Sequence, residues 1–263
     1  MEEIMDETIN TSWCDITFNP WGCSRNSPEC DRCCPEVDTP ARARHILWRH
    51  DKMCTCGVVA DWQLSLYWNS VHAEFFAQHG RRRRVFCALL DDVFDYRADP
   101  YRRAELWALI QHAPQLDWLM LTKHIGNAVD MLPFHRGEGN LHVGLGISVS
   151  TQEEIDRDVP RLLTAPVQLR WLSIEPLLES VSLTNMLAKS HSMMAFDGSR
   201  TSIDWVVCGG ESGTGGWPMP AGAIHSLRAE CAAAGIPVYL RPGDGTAQGT
   251  GRIAENEAWL KTA

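Results

Sequence analysis

From residue 83 onward the chain repeats one unit: a short apolar run, a polar tip, then a stretch of helical period. The runs are "RVFCALLDD" (84–92), "DWLMLTK" (117–123), "LHVGLGIS" (141–148), "LRWLSIEP" (169–176), "DWVVCGGES" (204–212) and "PVYLRP" (237–242). A strand that is apolar on both faces cannot leave either face in water. Strands of that kind, alternating with helices, belong in a parallel sheet covered on both sides. Three intervening segments carry helix signals: "DPYRRAELWALIQHA" (99–113), "TQEEIDRDVPRLLTA" (151–165) and "AGAIHSLRAECAAAG" (221–235). The second opens with Thr151 and Glu154, a capping-box spacing, and the third closes on Gly235, suited to a C-cap.

Six such strands, with one or two more from the N-terminal region, predict an α/β chain. The expected architecture is a partial or full (β/α) TIM-like barrel of about six to eight parallel strands. A doubly wound open sheet is the second choice, because no G-x-G-x-x-G follows the first strand and "GLGIS" does not fit that pattern. One domain over residues 1–263 suffices: 44% hydrophobic and 22% charged side chains support one large core. Residues 183–202 read as a loop insertion, and the glycine-rich 241–257 as a flexible or ligand-covered segment. Trp118, Trp171 and Trp205 fall inside apolar runs and read as core, as do Cys87 and Cys208.

Each run ends in polar groups: Asp91 and Asp92, Thr122 and Lys123, Ser148, Glu175, Glu211 and Ser212, and Arg241. In a parallel barrel these ends converge on one mouth, where active sites lie. Glu175 and Lys123 are the candidate catalytic residues. Glu175 is a carboxylate set by the following proline, and Lys123, beside His124, is a cation for a carboxylate or phosphate. Gly209, Gly210, Glu211 and Ser148 are the candidate cofactor-binding residues, the glycines because they let a ligand approach the backbone. Asp91 and Asp92 could instead cap the turn that follows.

The formal net charge of -9 carries no global basic footprint for nucleic acid. It favours a small or nucleotide-sized substrate over long duplex DNA. "RRRR" (81–84) is the only dense basic run; it precedes a strand, opposite the expected mouth, and reads as a solvated face. No run of 18 apolar residues exists and the start, "MEEIMDETIN", is acidic and polar, so no membrane span and a cytoplasmic location are expected.

The chain holds ten cysteines, and four of them, Cys23, Cys30, Cys33 and Cys34, fall in the loop 20–36. In a cytosolic protein clustered thiols point to metal more than to disulfides. Cys23, Cys30 and Cys33 form C-x6-C-x2-C, with Trp21-Gly22 as the turn and Pro28 stiffening the longer gap. A closed zinc site needs a fourth ligand, for which Cys34, Cys54 and Cys56 are candidates, but no second C-x2-C pair is present. Three thiolates alone suit a [4Fe-4S] cluster with one open iron. Spacing leaves cluster, zinc and unligated thiols all open.

The series "TSWCDITFNPWGCSRNSPECDRC", "RVFCALLDDVFD", "LDWLMLTKH", "LGISVSTQEE", "RWLSIEPLL" and "DWVVCGGESG" resembles, over nearly the whole chain, a phage-associated and bacterial family of unknown function with a radical-SAM-like three-cysteine motif. That resemblance implies a radical S-adenosylmethionine (SAM) enzyme on a partial TIM barrel. Cys23, Cys30 and Cys33 would hold a [4Fe-4S] cluster whose open iron chelates SAM, and an electron donor would reduce it. SAM cleavage would start radical chemistry on an unidentified substrate, a nucleotide or nucleic-acid base being the favoured class; in a phage-encoded chain the setting would be the host cytoplasm. "GGESG" resembles the Gly-Gly-Glu element that holds the methionyl amine, although here it follows a late strand. The first cysteine gap is six where the superfamily commonly has three, and Arg32 stands where an aromatic is usual. Relatives in the narrower family usually have a tyrosine at the position of Cys34 and a Lys-Gln-Trp-Gly-like strand tip where this chain reads "LRPGDG". The alternative is a non-catalytic barrel with a structural zinc and a ligand-binding mouth.

Overall fold

The computed structural model describes residues 13–20, 59–87, 92–133, 142–167, 169–192, 202–210, 219–220 and 222–240. Seven strands form one all-parallel sheet in strict sequence order, curled into a half-barrel. They are β1 (Ile16–Phe18), β2 (Arg83–Cys87), β3 (Leu116–Thr122), β4 (Val143–Ser148), β5 (Leu169–Ile174), β6 (Trp205–Cys208) and β7 (Val238–Leu240). Sequential order with no reversal is the singly wound barrel topology, not the doubly wound one, so the expected partial (β/α) barrel is what forms. The helices between strands are α1 (Val59–Ser70), α2 (His72–His79), α3 (Pro100–His112), α4 (Ile125–Met131), α5 (Gln152–Thr164), α6 (Thr184–Ser192) and α7 (Ala223–Ala233).

Period-two alternation divides the strand side chains between two cores. On the outer face Val85, Cys87, Trp118, Met120, Leu145, Ile147, Leu172, Ile174, Val206 and Cys208 pack with Leu106, Ile110, Ile155, Val159, Leu162 and Leu227 of the helices. The inner face holds a separate cluster without helix residues: Trp13, Phe86, Leu119, Trp171, Trp205, Val207 and Tyr239. Trp171 and Trp205 stack at 5.1 Å, and Trp13 meets each of them edge-on at 5.1 Å. The predicted core placement of Trp118, Trp171, Trp205, Cys87 and Cys208 holds.

The glycines of "GLGIS" serve that inner floor. A Cβ on Gly146 would lie 2.3 Å from the Trp171 indole, and one on Gly144 would lie 2.7 Å from Leu169. Both positions face inward in register with those large side chains. A side chain at Gly146 would displace the indole and one at Gly144 would press on Leu169, so the glycines are packing residues.

The helix ends follow the sequence signals. Thr151 and Glu154 form the capping box of α5, and Asp99 caps α3 at its first turn by accepting from Tyr101 N at 2.9 Å. Gly235 takes positive φ after α7. Two expectations need correction. The segment read as a loop insertion carries α6, the ordinary crossover helix between β5 and β6. Its start is secured from a distance by Glu230, which accepts from the backbones of Leu183 (2.7 Å) and Thr184 (3.0 Å). Nor is "RRRR" a solvated face. Arg81 grips Asp15 through two bonds of 2.6 and 2.7 Å, and Arg82 pairs with Asp117 and bonds the carbonyls of Pro114, Gln115 and Leu116. Arg83 lies over the Phe75 ring at 4.3 Å, and buried Arg84 donates to the Trp13 carbonyl. Strand starts carry carbonyls and carboxylates that arginine's planar donors satisfy.

Candidate functional site at the carboxyl edge of the sheet

The strand ends converge on one edge, and the register fixes what lies there. Ser148 of β4 pairs with Ser173 of β5, which pairs with Val207 of β6, which pairs with Tyr239 of β7. Thr122 and Ile147 form the last pair of β3 and β4, and exposed Lys123 and half-buried Ser148 follow them at the strand ends. Below the row from Ser148 to Tyr239 the inner face is filled by indoles; within it Ser148 and Ser173 are small and polar, while Val207 and Tyr239 remain part of the apolar cluster.

Glu175 lies two residues past Ser173 and Gly209 two past Val207, one step further out. The Ser173 hydroxyl donates to Glu175 Oε2 at 3.1 Å. Gly209 N–H donates to the Ile174 carbonyl at 3.3 Å, and its own carbonyl accepts from Leu177 N at 2.9 Å. These bonds fasten the β5 and β6 tips together around the Glu175–Pro176 peptide, which is cis. Glu175 is half-buried, with its Oε2 oriented by a buried serine. Such a carboxylate can accept hydroxyl or ammonium hydrogens from a bound molecule.

The structure therefore brings together Lys123, Ser148, Glu175, Gly209 and Gly210 at one edge. Ser173 was missed, although its spacing from Glu175 and its register with Ser148 could have found it once β4 and β5 were known to pair. Glu211, Ser212, Asp91 and Arg241 lie outside the described residues, as do Trp21, Cys23, Cys30, Cys33, Cys34, Cys54 and Cys56.

A second group sits at the tips of β2 and β3. Asp92 Oδ1 accepts from Phe94 N at 2.9 Å, which is the expected turn cap. The same carboxylate also accepts from Thr122 Oγ1 at 2.8 and 2.9 Å, Lys123 N at 2.8 Å and His124 Nδ1 at 2.8 Å. The hydrogen bond to Asp92 holds the His124 pKa above the ordinary histidine value, against the opposing effect of burial. The sequence reading treated Asp92 and His124 separately, since 32 positions divide them.

No group of three or more His, Cys, Asp or Glu able to hold a metal occurs among the described residues. Of their four cysteines, three are poor ligands: Cys87, Cys208 and Cys231 are buried in the helix-side core, and burial pushes the Cys231 thiol up to about 12, while Cys14 is half-buried. The loop cysteines Cys23, Cys30 and Cys33 are not among the described residues. The loop leaves β1 at the edge just described: Cys23 follows Phe18 by five residues, at most about 17 Å of extended chain. A hollow at the opposite end, lined by His72, Ala73, Phe76, Ala77, Arg82 and Gln115, has less to offer, because Arg82 is already committed to three carbonyls and Asp117.

Fold and edge together define a parallel α/β half-barrel with a polar site at the carboxyl ends of its strands. The chain belongs to the family described as "Protein of unknown function (DUF5131)", which matches residues 8–257. No curated protein matches it. No helix among the described residues is long and apolar enough to cross a membrane.

Proposed function

We propose that this protein is a radical SAM enzyme whose cluster loop, with Cys23, Cys30 and Cys33 as ligands, serves the carboxyl-edge site. The observation that carries this reading is the coincidence of three thiols on the loop leaving β1 with a polar row at the same edge of a parallel half-barrel. When bound, a [4Fe-4S] cluster with one open iron would supply the electron that cleaves the SAM sulfonium.

The chain's own residues have separable tasks. Gly209 and Gly210 offer backbone without side chains to an approaching ligand. Ser148 and Ser173 present hydroxyls, and Glu175, braced by Ser173, accepts from hydroxyl or ammonium groups such as those of ribose or the methionyl amine. Lys123, just past the end of β3, would pair with a carboxylate or phosphate. The indole floor beneath keeps water out from below. The net charge of -9 supports a small or nucleotide-sized substrate.

The test is anaerobic reconstitution of the full chain with iron and sulfide, followed by dithionite and SAM, with 5'-deoxyadenosine measured by chromatography. Cysteine-dependent product that disappears in Cys30→Ala is the expected result. Uptake of about one zinc and no iron, with SAM left intact, would replace this reading with a structural-zinc barrel.

A further inference from the structure

The Asp92 cluster has more in it than a turn cap. Two backbone N–H groups and the Thr122 hydroxyl already converge on its two oxygens. A backbone N–H can only donate, so both Asp92 oxygens act as acceptors here. The ring nitrogen 2.8 Å away must therefore be the proton-bearing one, which fixes neutral His124 as the Nδ1–H tautomer with its basic lone pair on Nε2.

The ring is also held from its backbone side, because His124 N–H donates to Thr122 Oγ1 at 2.8 Å while that hydroxyl donates to Asp92. Thr122 and Asp92 thus set the position of the imidazole through both its ring and its main chain. No described residue bonds Nε2, and about a quarter of the side chain (26%) is exposed, against 13% for Asp92. The charged groups that act on the ring are Asp92 and Asp95, which favour its cation, and Arg97, which opposes it; Lys123 adjoins it in the chain.

We propose that His124 is a proton-transfer residue of the carboxyl-edge site and that Asp92 is its positioning carboxylate. The substrate it serves presents a hydroxyl or nitrogen-bound hydrogen. Nε2 takes that proton, leaving a substrate anion and an imidazolium paired with the Asp92 carboxylate, and the reverse step returns the proton. No electrons are exchanged. The proposal rests on reading this edge as the active site, but not on the cluster.

The test uses the full chain and needs neither cluster nor SAM. Nitrogen-15 shifts of labelled histidine, followed from about pH 5 to 9, should show His124 with its proton on Nδ1 and a titration above the ordinary histidine value, and Asp92→Asn should bring that titration down. Acylation by diethyl pyrocarbonate, located by mass spectrometry, should occur at His124 in the native wild type at alkaline pH. It should be roughly threefold or more slower in Asp92→Asn, because a less basic nitrogen is a weaker nucleophile. His124→Gln, whose amide can still reach Asp92, controls for folding and should lose only this adduct. If His124 titrates as an ordinary histidine in both proteins, or is protected when folded and acylated only in urea, the contact is structural and the proposal falls. Normal His124 reactivity without 5'-deoxyadenosine would instead overturn the radical reading alone.

Discussion

The two ends of the half-barrel are both rich in charge, yet they use it differently. At the strand starts, Arg81 to Arg84 are committed to Asp15, Asp117, backbone carbonyls and the Phe75 ring. At the strand ends, Ser148, Glu175 and His124 are half-buried and Lys123 is exposed. Behind the first group stands an indole floor; in front of the second there are small side chains and two glycines. A cluster of like charges in sequence is thus no sign of a solvated face, since here it serves to anchor the strand starts. The first end should lose stability when altered, and the second should lose chemistry.

Trp171→Ala should have the largest effect, removing an indole that touches Trp13, Phe86 and Trp205. A loss of about 3–5 kcal/mol is expected from chemical denaturation. Asp15→Ala should follow. It strips a carboxylate from Arg81 and from the Arg84 N–H, at about 1.5–3 kcal/mol. Burial tends to raise the Asp15 pKa, but Arg81 and the Arg84 N–H outweigh it and hold it below the usual carboxylate value. Its contribution is therefore complete above that usual value and disappears as pH falls through the lowered one; an acid titration of stability that looks the same in Asp15→Asn would contradict this.

Gly146→Ala should cost about 1–3 kcal/mol through overpacking against Trp171. Because the floor must shift, near-UV circular dichroism of the tryptophans should change with it. At the carboxyl edge the scale drops. Lys123→Ala should stay within about 0.5 kcal/mol of the parent in unfolding, while weakening SAM or substrate binding in the reconstituted protein; full activity would remove Lys123 from the site. The smallest effect is that of pH on the His124 pair. Its folded pKa is raised, so its stabilisation is complete below the ordinary histidine value and fades as pH rises through the raised one. Asp92→Asn should flatten that part of the stability profile.

The positions of β2 to β7, the caps of α5 and α7, and the buried tryptophans were legible because each depends on nearest neighbours or on period-two burial. Lys123, Ser148, Glu175 and Gly209 were legible for the same reason: a polar tip after an apolar run marks a strand end. The role of "RRRR" was not, because its partners come from Asp15 before it and Asp117 after it. Nor was α6, whose first turn depends on a carboxylate 46 or 47 residues away.

The sequence by itself determined a parallel, helix-covered sheet with polar strand ends and a cysteine loop near its N-terminus, since local hydrophobic period and spacing carry that information. Tertiary structure alone decided that Ser173 would meet Glu175 beside Ser148, that Gly146 would make room for Trp171, and that Asp92 would hold His124. Those contacts are set by strand register and sheet curl, which arise only when separate segments of the chain pack against one another.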